Sequence, residues 1–155
     1  MLARQRHALF KSAALAVVFI GLAMPAFSAV SPEGRWRTID DKTHREKSVV
    51  EITEVNGELQ GKVVQLLNRG DKPKNPMCDK CEGDRKGKPV IGMTILWGLK
   101  EDGDEWTGGS ILDPENGEVY DAKIEVKDNG QKLDVRGFLG ISLLGRTQTW
   151  VRDTQ

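Results

Sequence analysis

The chain has 155 residues, with 23 basic and 23 acidic side chains balancing to no net charge, two histidines and two cysteines. Charges of both signs are interspersed and no basic face stands out, which excludes the usual footprint of a nucleic-acid binder. The opening residues differ from the rest. Arg4, Arg6 and Lys11 lead into the apolar run Ser12 to Ala23, and Ala26-Phe27-Ser28 offers small residues at the positions a signal peptidase reads. The run is 12 residues, too short to span a bilayer, which takes about 20. Residues 1–28 are therefore expected to be a signal peptide cleaved near Ser28, and the protein to be periplasmic or secreted. No cysteine follows the cleavage point and Arg4 and Arg6 are not adjacent, against a lipoprotein and against twin-arginine export. Residues 29–155 are expected to form one small domain with a net charge near −3.

Beyond the leader, the chain reads as strand after strand. Gly34–Ile39 (GRWRTI) is the first and Ser48–Val55 (SVVEITEV) the second. Asn56-Gly57 then signals a hairpin, and Leu59–Leu67 returns as the third. Past the cysteine-bearing loop come Val90–Leu99, Glu105–Leu112, Glu118–Val126, Lys132–Leu139 and Arg146–Arg152. The joints EDGD, DPENG and KDNG carry the Asp, Asn and Gly that turns favour. In the sixth segment Tyr120, Ala122, Ile124 and Val126 alternate with Asp121, Lys123 and Glu125, and Leu133 and Val135 repeat the pattern in the seventh. Eight strands with one apolar face and tight turns predict an all-β protein: an eight-stranded antiparallel up-and-down β-barrel, with a β-sandwich as the alternative.

The loop NPMCDKCEGDRKGKP holds both cysteines, Cys78 and Cys81. In an oxidising compartment two cysteines most simply form one disulfide. A thioredoxin-type centre would place the pair where a strand enters a helix, and Pro73, Pro76, Pro89, Gly83 and Gly87 oppose a helix here. A structural zinc site needs about four ligands, and His44 is the one histidine beyond the leader. No metal and no cofactor is therefore expected. GDRKGKP falls one residue short of a phosphate-binding loop and has Pro89 where Ser or Thr belongs. His44 reads as a surface residue in a polar turn, and Asp113 to Gly117 as a turn. No nucleophile motif appears, and no catalytic residue is assigned. Phe138, Leu139, Ile141, Leu143 and Leu144 lie in an apolar link where a polar turn is normal. That link is expected to fold inward as a plug, the alternative being a docking loop for a membrane, lipid or partner.

Gly34-Arg35-Trp36 in the first strand and Trp150-Val151-Arg152 in the last resemble the signature of lipocalin and calycin barrels. The resemblance implies that Gly34, Trp36, Trp150 and Arg152 close one end of the barrel, with the arginine stacked on an indole. The longer series MCDKCEGDRKGKPVIGMTILWGL, WTGGSILDPENGEVYDAKIEV and LDVRGFLGISLLGRTQTWVR closely resembles the exported bacterial family known as domain of unknown function 2147. The likeness runs from about Gly34 to Arg152 and implies a secreted, lipocalin-like barrel with no enzyme activity. The expected function is binding of a small apolar ligand in the barrel, or of an envelope partner at its rim. Tyr120, Ala122, Ile124, Leu133 and Val135 are the candidate lining. The alternatives are a structural or stress-related envelope protein with a filled barrel and, more distantly, a thiol-disulfide redox protein.

Overall fold

The computed structural model describes residues 30–155; the expected signal peptide lies outside the described residues. Eight strands follow one another: β1 (Gly34–Ile39), β2 (Glu46–Val55), β3 (Glu58–Leu66), β4 (Thr94–Asp102), β5 (Glu105–Leu112), β6 (Val119–Lys127), β7 (Lys132–Phe138) and β8 (Arg146–Arg152). Each pairs antiparallel with the next, and β8 returns to β1, so the sheet closes as a barrel in sequence order. Closure leaves no strand edge unpaired. The sandwich alternative is thereby set aside.

Turn chemistry fixes the register. Asn56 and Gly57 have φ of 54° and 79°, the positive pair of a two-residue hairpin turn that matches strand twist. They align Val55 with Glu58 and Leu59 with Glu54. Along β6 and β7, Ala122, Ile124, Leu133 and Val135 face inward and are buried, with Ile124 opposite Val135 and Leu133 opposite Val126.

The fourth strand begins later than the sequence suggests, at Thr94 rather than Val90. Val90 donates its amide to Pro76 O and Gly92 to Val63 O, so residues 90–93 turn before entering the sheet. Their apolar character still serves the core, since Val90 and Met93 are buried.

The two ends differ. The end holding the β2–β3, β4–β5 and β6–β7 turns is filled by Trp36, Ile52, Leu59, Leu99, Trp106, Ile124 and Leu133. The opposite end carries the long connections, residues 40–45, 67–93, 113–118 and 139–145.

Candidate functional site

At the filled end, Arg152 lies over the Trp36 ring with its guanidinium carbon 3.9 Å from the centroid. Its side chain also donates to the carbonyls of Gly130, Glu33 and Ser31. Partial burial lowers its pKa from the ordinary guanidinium value. Gly34 makes room for this arrangement, because a Cβ there would stand 2.7 Å from Arg152 Nη1. Trp36 donates its indole N–H to Pro32 O at 2.8 Å. Gly34, Trp36 and Arg152 thus meet at one end, while Trp150 faces the cavity at the other.

Beside this closure, Asp153 binds Arg37 at 2.9 Å and Arg35 at 3.3 Å. Burial pushes the Asp153 carboxyl up, but the Arg37 hydrogen bond, the Gln155 amide and the two guanidinium charges outweigh it and hold the pKa below its ordinary value.

At the open end the barrel holds a cavity of about 580 Å3. Its apolar wall includes Val63, Leu66, Val90, Ile95, Ile111 and Trp150. Within it, the buried hydroxyls of Thr38 and Ser48 bond to each other at 2.8 Å. Gln148 accepts from the Trp150 indole N–H at 3.2 Å. This volume falls in the range of small-molecule sites, about 300–1,000 Å3.

The mouth is ringed by charge. Arg45, Lys47, Arg69 and Lys72 face Asp40, Glu46, Asp113 and Glu115. Glu46 is taken by Arg37 at 3.1 Å. Lys47 bridges Glu115 at 2.9 Å and Asp40 at 3.7 Å. Asp40 also closes its own turn, accepting from the Thr43 amide and hydroxyl and the Lys42 amide, and these bonds lower its pKa to about 2. Among the described residues Arg45, Arg69 and Lys72 make no ion pair, and Arg69 donates only to Pro73 O.

None of the five expected lining residues borders this cavity. Ala122, Ile124, Leu133 and Val135 belong to the packed core. Tyr120 is half-buried at the rim and donates its hydroxyl to Glu118, whose carboxylate raises the phenol pKa. The alternation that marked these residues builds core and pocket alike. Thr38, Ser48 and the loop cations carried no such pattern. Their one available signal was position, at the strand ends beside the longest connections.

The cysteine loop forms part of the rim. Cys78 and Cys81 are joined as a disulfide and are both buried in the core cluster. The loop is pinched by the Met77–Pro89 bridge, with Cys78 N donating to Lys88 O at 2.8 Å. Outside the barrel, Arg85 covers the Trp97 ring at 4.1 Å, a second cation–π contact that sequence reasoning missed. Gly117 in the β5–β6 turn lies so close to this loop that a Cβ would stand 2.0 Å from Lys80 O.

The 138–145 link does not plug the barrel. Leu139, Ile141, Leu143 and Leu144 are exposed, and Phe138 is half-buried. Arg136 holds the loop outward by donating to Ser142 O at 2.7 Å and Leu143 O at 3.2 Å. His44 is exposed in its turn, with φ of 54°. Among the described residues no group of three His, Cys, Asp or Glu side chains gathers to hold a metal ion.

A closed eight-stranded antiparallel barrel with this end closure is lipocalin-like, and a solved structure agrees. The chain is similar to protein HP1028 from the human pathogen Helicobacter pylori, described as belonging to the lipocalin family, with a TM-score of 0.70, 20% identity, and 81% of this chain and 85% of that one covered. The chain itself belongs to the family described as "Uncharacterized protein conserved in bacteria (DUF2147)", whose model matches residues 34–152. No curated protein matches the sequence.

Proposed function

We propose that the protein is an exported bacterial binding protein, without catalytic activity, that takes a small amphipathic anion in the open end of its barrel. The observation that carries this reading is the uneven pairing at the mouth. Of the four acidic residues, Glu46, Asp40 and Glu115 are engaged by Arg37 and Lys47 and Asp113 alone has no ion pair, whereas three cations, Arg45, Arg69 and Lys72, have no carboxylate partner among the described residues. The apolar wall of Val63, Ile95, Ile111 and Trp150 suits a hydrocarbon portion, and the cations suit a negatively charged head at the mouth. Export rests on the tripartite leader of residues 1–28.

Dodecanoate and dodecylammonium share a tail and differ in head charge. Titrated against the protein, dodecanoate is expected to saturate at one site and change the emission of Trp150. The ammonium is expected to bind at least about tenfold more weakly. Replacing Arg45 and Lys72 together by glutamine should remove most of that difference. Equal binding of both probes would refute the head-group assignment, and saturable binding of neither would refute the cavity as a ligand site. Native mass spectrometry of protein taken gently from its source checks the same point, since a bound amphiphile adds mass that denaturation removes.

A further inference from the structure

We propose that the β7–β8 loop docks the open end of the barrel onto the surface of an anionic phospholipid bilayer. This goes beyond the cavity reading and does not depend on it. Leu139, Ile141, Leu143 and Leu144 are 67%, 58%, 85% and 78% exposed within a seven-residue connection. Lone exposed leucines are ordinary; four exposed aliphatic side chains in one short loop are a concentration of apolar surface of the kind that marks an interaction site. The patch is also presented by a built device. Arg136 anchors itself on Thr147 Oγ1 of β8 at 2.8 Å and fixes the backbone at Ser142 and Leu143, so the loop cannot fold back over the mouth without losing these two bonds. At its base a Cβ at Gly145 would stand 2.6 Å from Gly137 O, so only glycine fits there. Leu139 borders a second cleft, beside the cysteine loop, which leaves Ile141, Leu143 and Leu144 as the tip.

Composition distinguishes lipid from protein as the occupant. The tip is wholly aliphatic. Protein interfaces draw their binding energy from Trp, Tyr and Arg, with leucine under-represented. Branched aliphatic side chains need no directional partner and partition into the acyl boundary of a bilayer. The charge distribution sets the orientation. The four connections at the open end hold nine basic and nine acidic residues. The segments at the filled end, residues 30–33, 56–57, 103–104, 128–131 and 153–155, hold four acidic residues and no basic one. Asp128 and Asp153 among these are paired with Lys132 and with Arg35 and Arg37, so the turns of the filled end offer an anionic surface no free cation, while the open end offers both the aliphatic tip and the unpaired Arg45 and Lys72. Docked this way, the mouth of the cavity faces the lipid.

The test is flotation with vesicles of phosphatidylethanolamine containing about one quarter phosphatidylglycerol. Wild-type protein and a Leu143→Glu/Leu144→Glu variant, with identical N termini, are compared. The wild type is expected to float with the vesicles and to remain bound in about 0.5 M sodium chloride, where long-range charge attraction is screened. The variant is expected to lose roughly tenfold or more of that partitioning while keeping its thermal midpoint and its dodecanoate titration. A wild type that does not float, or a variant that floats as well as the wild type, overturns the proposal. So does a wild-type dimer that the variant turns into a monomer with neither floating, since a second copy would then cover the loop. Failure of the cavity reading would appear only in the dodecanoate titration, so the two outcomes are separable.

Discussion

Arg152 joins its own strand end to two segments distant in sequence: the turn at Gly130, and the entry stretch Ser31 to Trp36, whose carbonyls at Ser31 and Glu33 it bonds and whose indole it covers. Lysine has neither the planar face nor the fork of donors to do this. Arg152→Lys is expected to lower unfolding stability by about 1–3 kcal/mol, from the cation–π contact and the carbonyls left short of a donor. Urea denaturation measures it. The carboxylates nearby predict the acid limb of stability. Asp40 and Asp153 both sit below the ordinary carboxyl value in the folded protein. Their contribution is complete above about pH 4, where the unfolded chain also ionises. It drains away as the pH falls, and for Asp40 the loss runs down to about 2. The thermal midpoint should fall steadily over that range, and Asp40→Asn should flatten the fall. A midpoint independent of pH there would contradict the assigned bonds. At this scale the sequence was most informative where one residue type had one job. Trp36 and Arg152 stand where Gly-x-Trp and the final arginine implied.

The cysteine loop is the element whose behaviour the structure changes most. A short disulfide loop is worth only about 2 kcal/mol in chain entropy, enough to shape a loop but little more. Both sulfurs are buried among Leu112, Val90 and the other core residues, so the bond also fixes where the loop sits. Cys78→Ala/Cys81→Ala should therefore cost about 2–4 kcal/mol and speed amide exchange first at Val90, which closes the loop on Pro76 O, and at Gly92, which seats it on Val63 of β3. Gly117→Ala should separate the β5–β6 turn from the same loop. Its φ is 80° and the new methyl would meet the Lys80 carbonyl, at a cost of about 1–3 kcal/mol. Calorimetry on the two variants tests whether turn and loop act as one unit. Their costs should fall short of additive when combined. Strand positions were legible because alternation and Asn-Gly turns are local signals. The start of β4 was not, because Val90 to Met93 are apolar for the sake of loop packing rather than strand pairing. The outward hold on residues 139–145 was equally hidden, because it depends on Arg136 in a neighbouring strand.

Across the whole molecule, the barrel is solid at one end and hollow at the other. The eight-strand pattern made the closed sheet legible. Which inward residues line a space and which fill one was not legible, since that depends on how far each strand reaches past its neighbours. Ala122 and Val63 obey the same alternation; one is core and the other also borders the cavity. Hydrogen exchange should show the asymmetry, with the slowest amides in the β6–β7 ladder around Ile124 and Leu133 and fast exchange in residues 40–45 and 67–75. Uniform protection from end to end would contradict a half-filled barrel.

The seam between first and last strands has a consequence for how the chain is made. Trp36 pairs with Arg152 and Arg37 with Val151 along it, Asp153 N donates to Arg35 O, and the join is reinforced by Arg152 on Trp36 and by the Asp153 carboxylate on Arg35 and Arg37. On the β8 side the strand pairs and the contacts of Arg152 and Asp153 all lie within the last six residues. A chain that emerges N-terminus first, from a ribosome or through a membrane pore, carries β1 as an open template for the whole of its synthesis or passage. Losing a handful of C-terminal residues would leave seven strands formed and both edges bare, a form open to chaperones, proteases and its own neighbours.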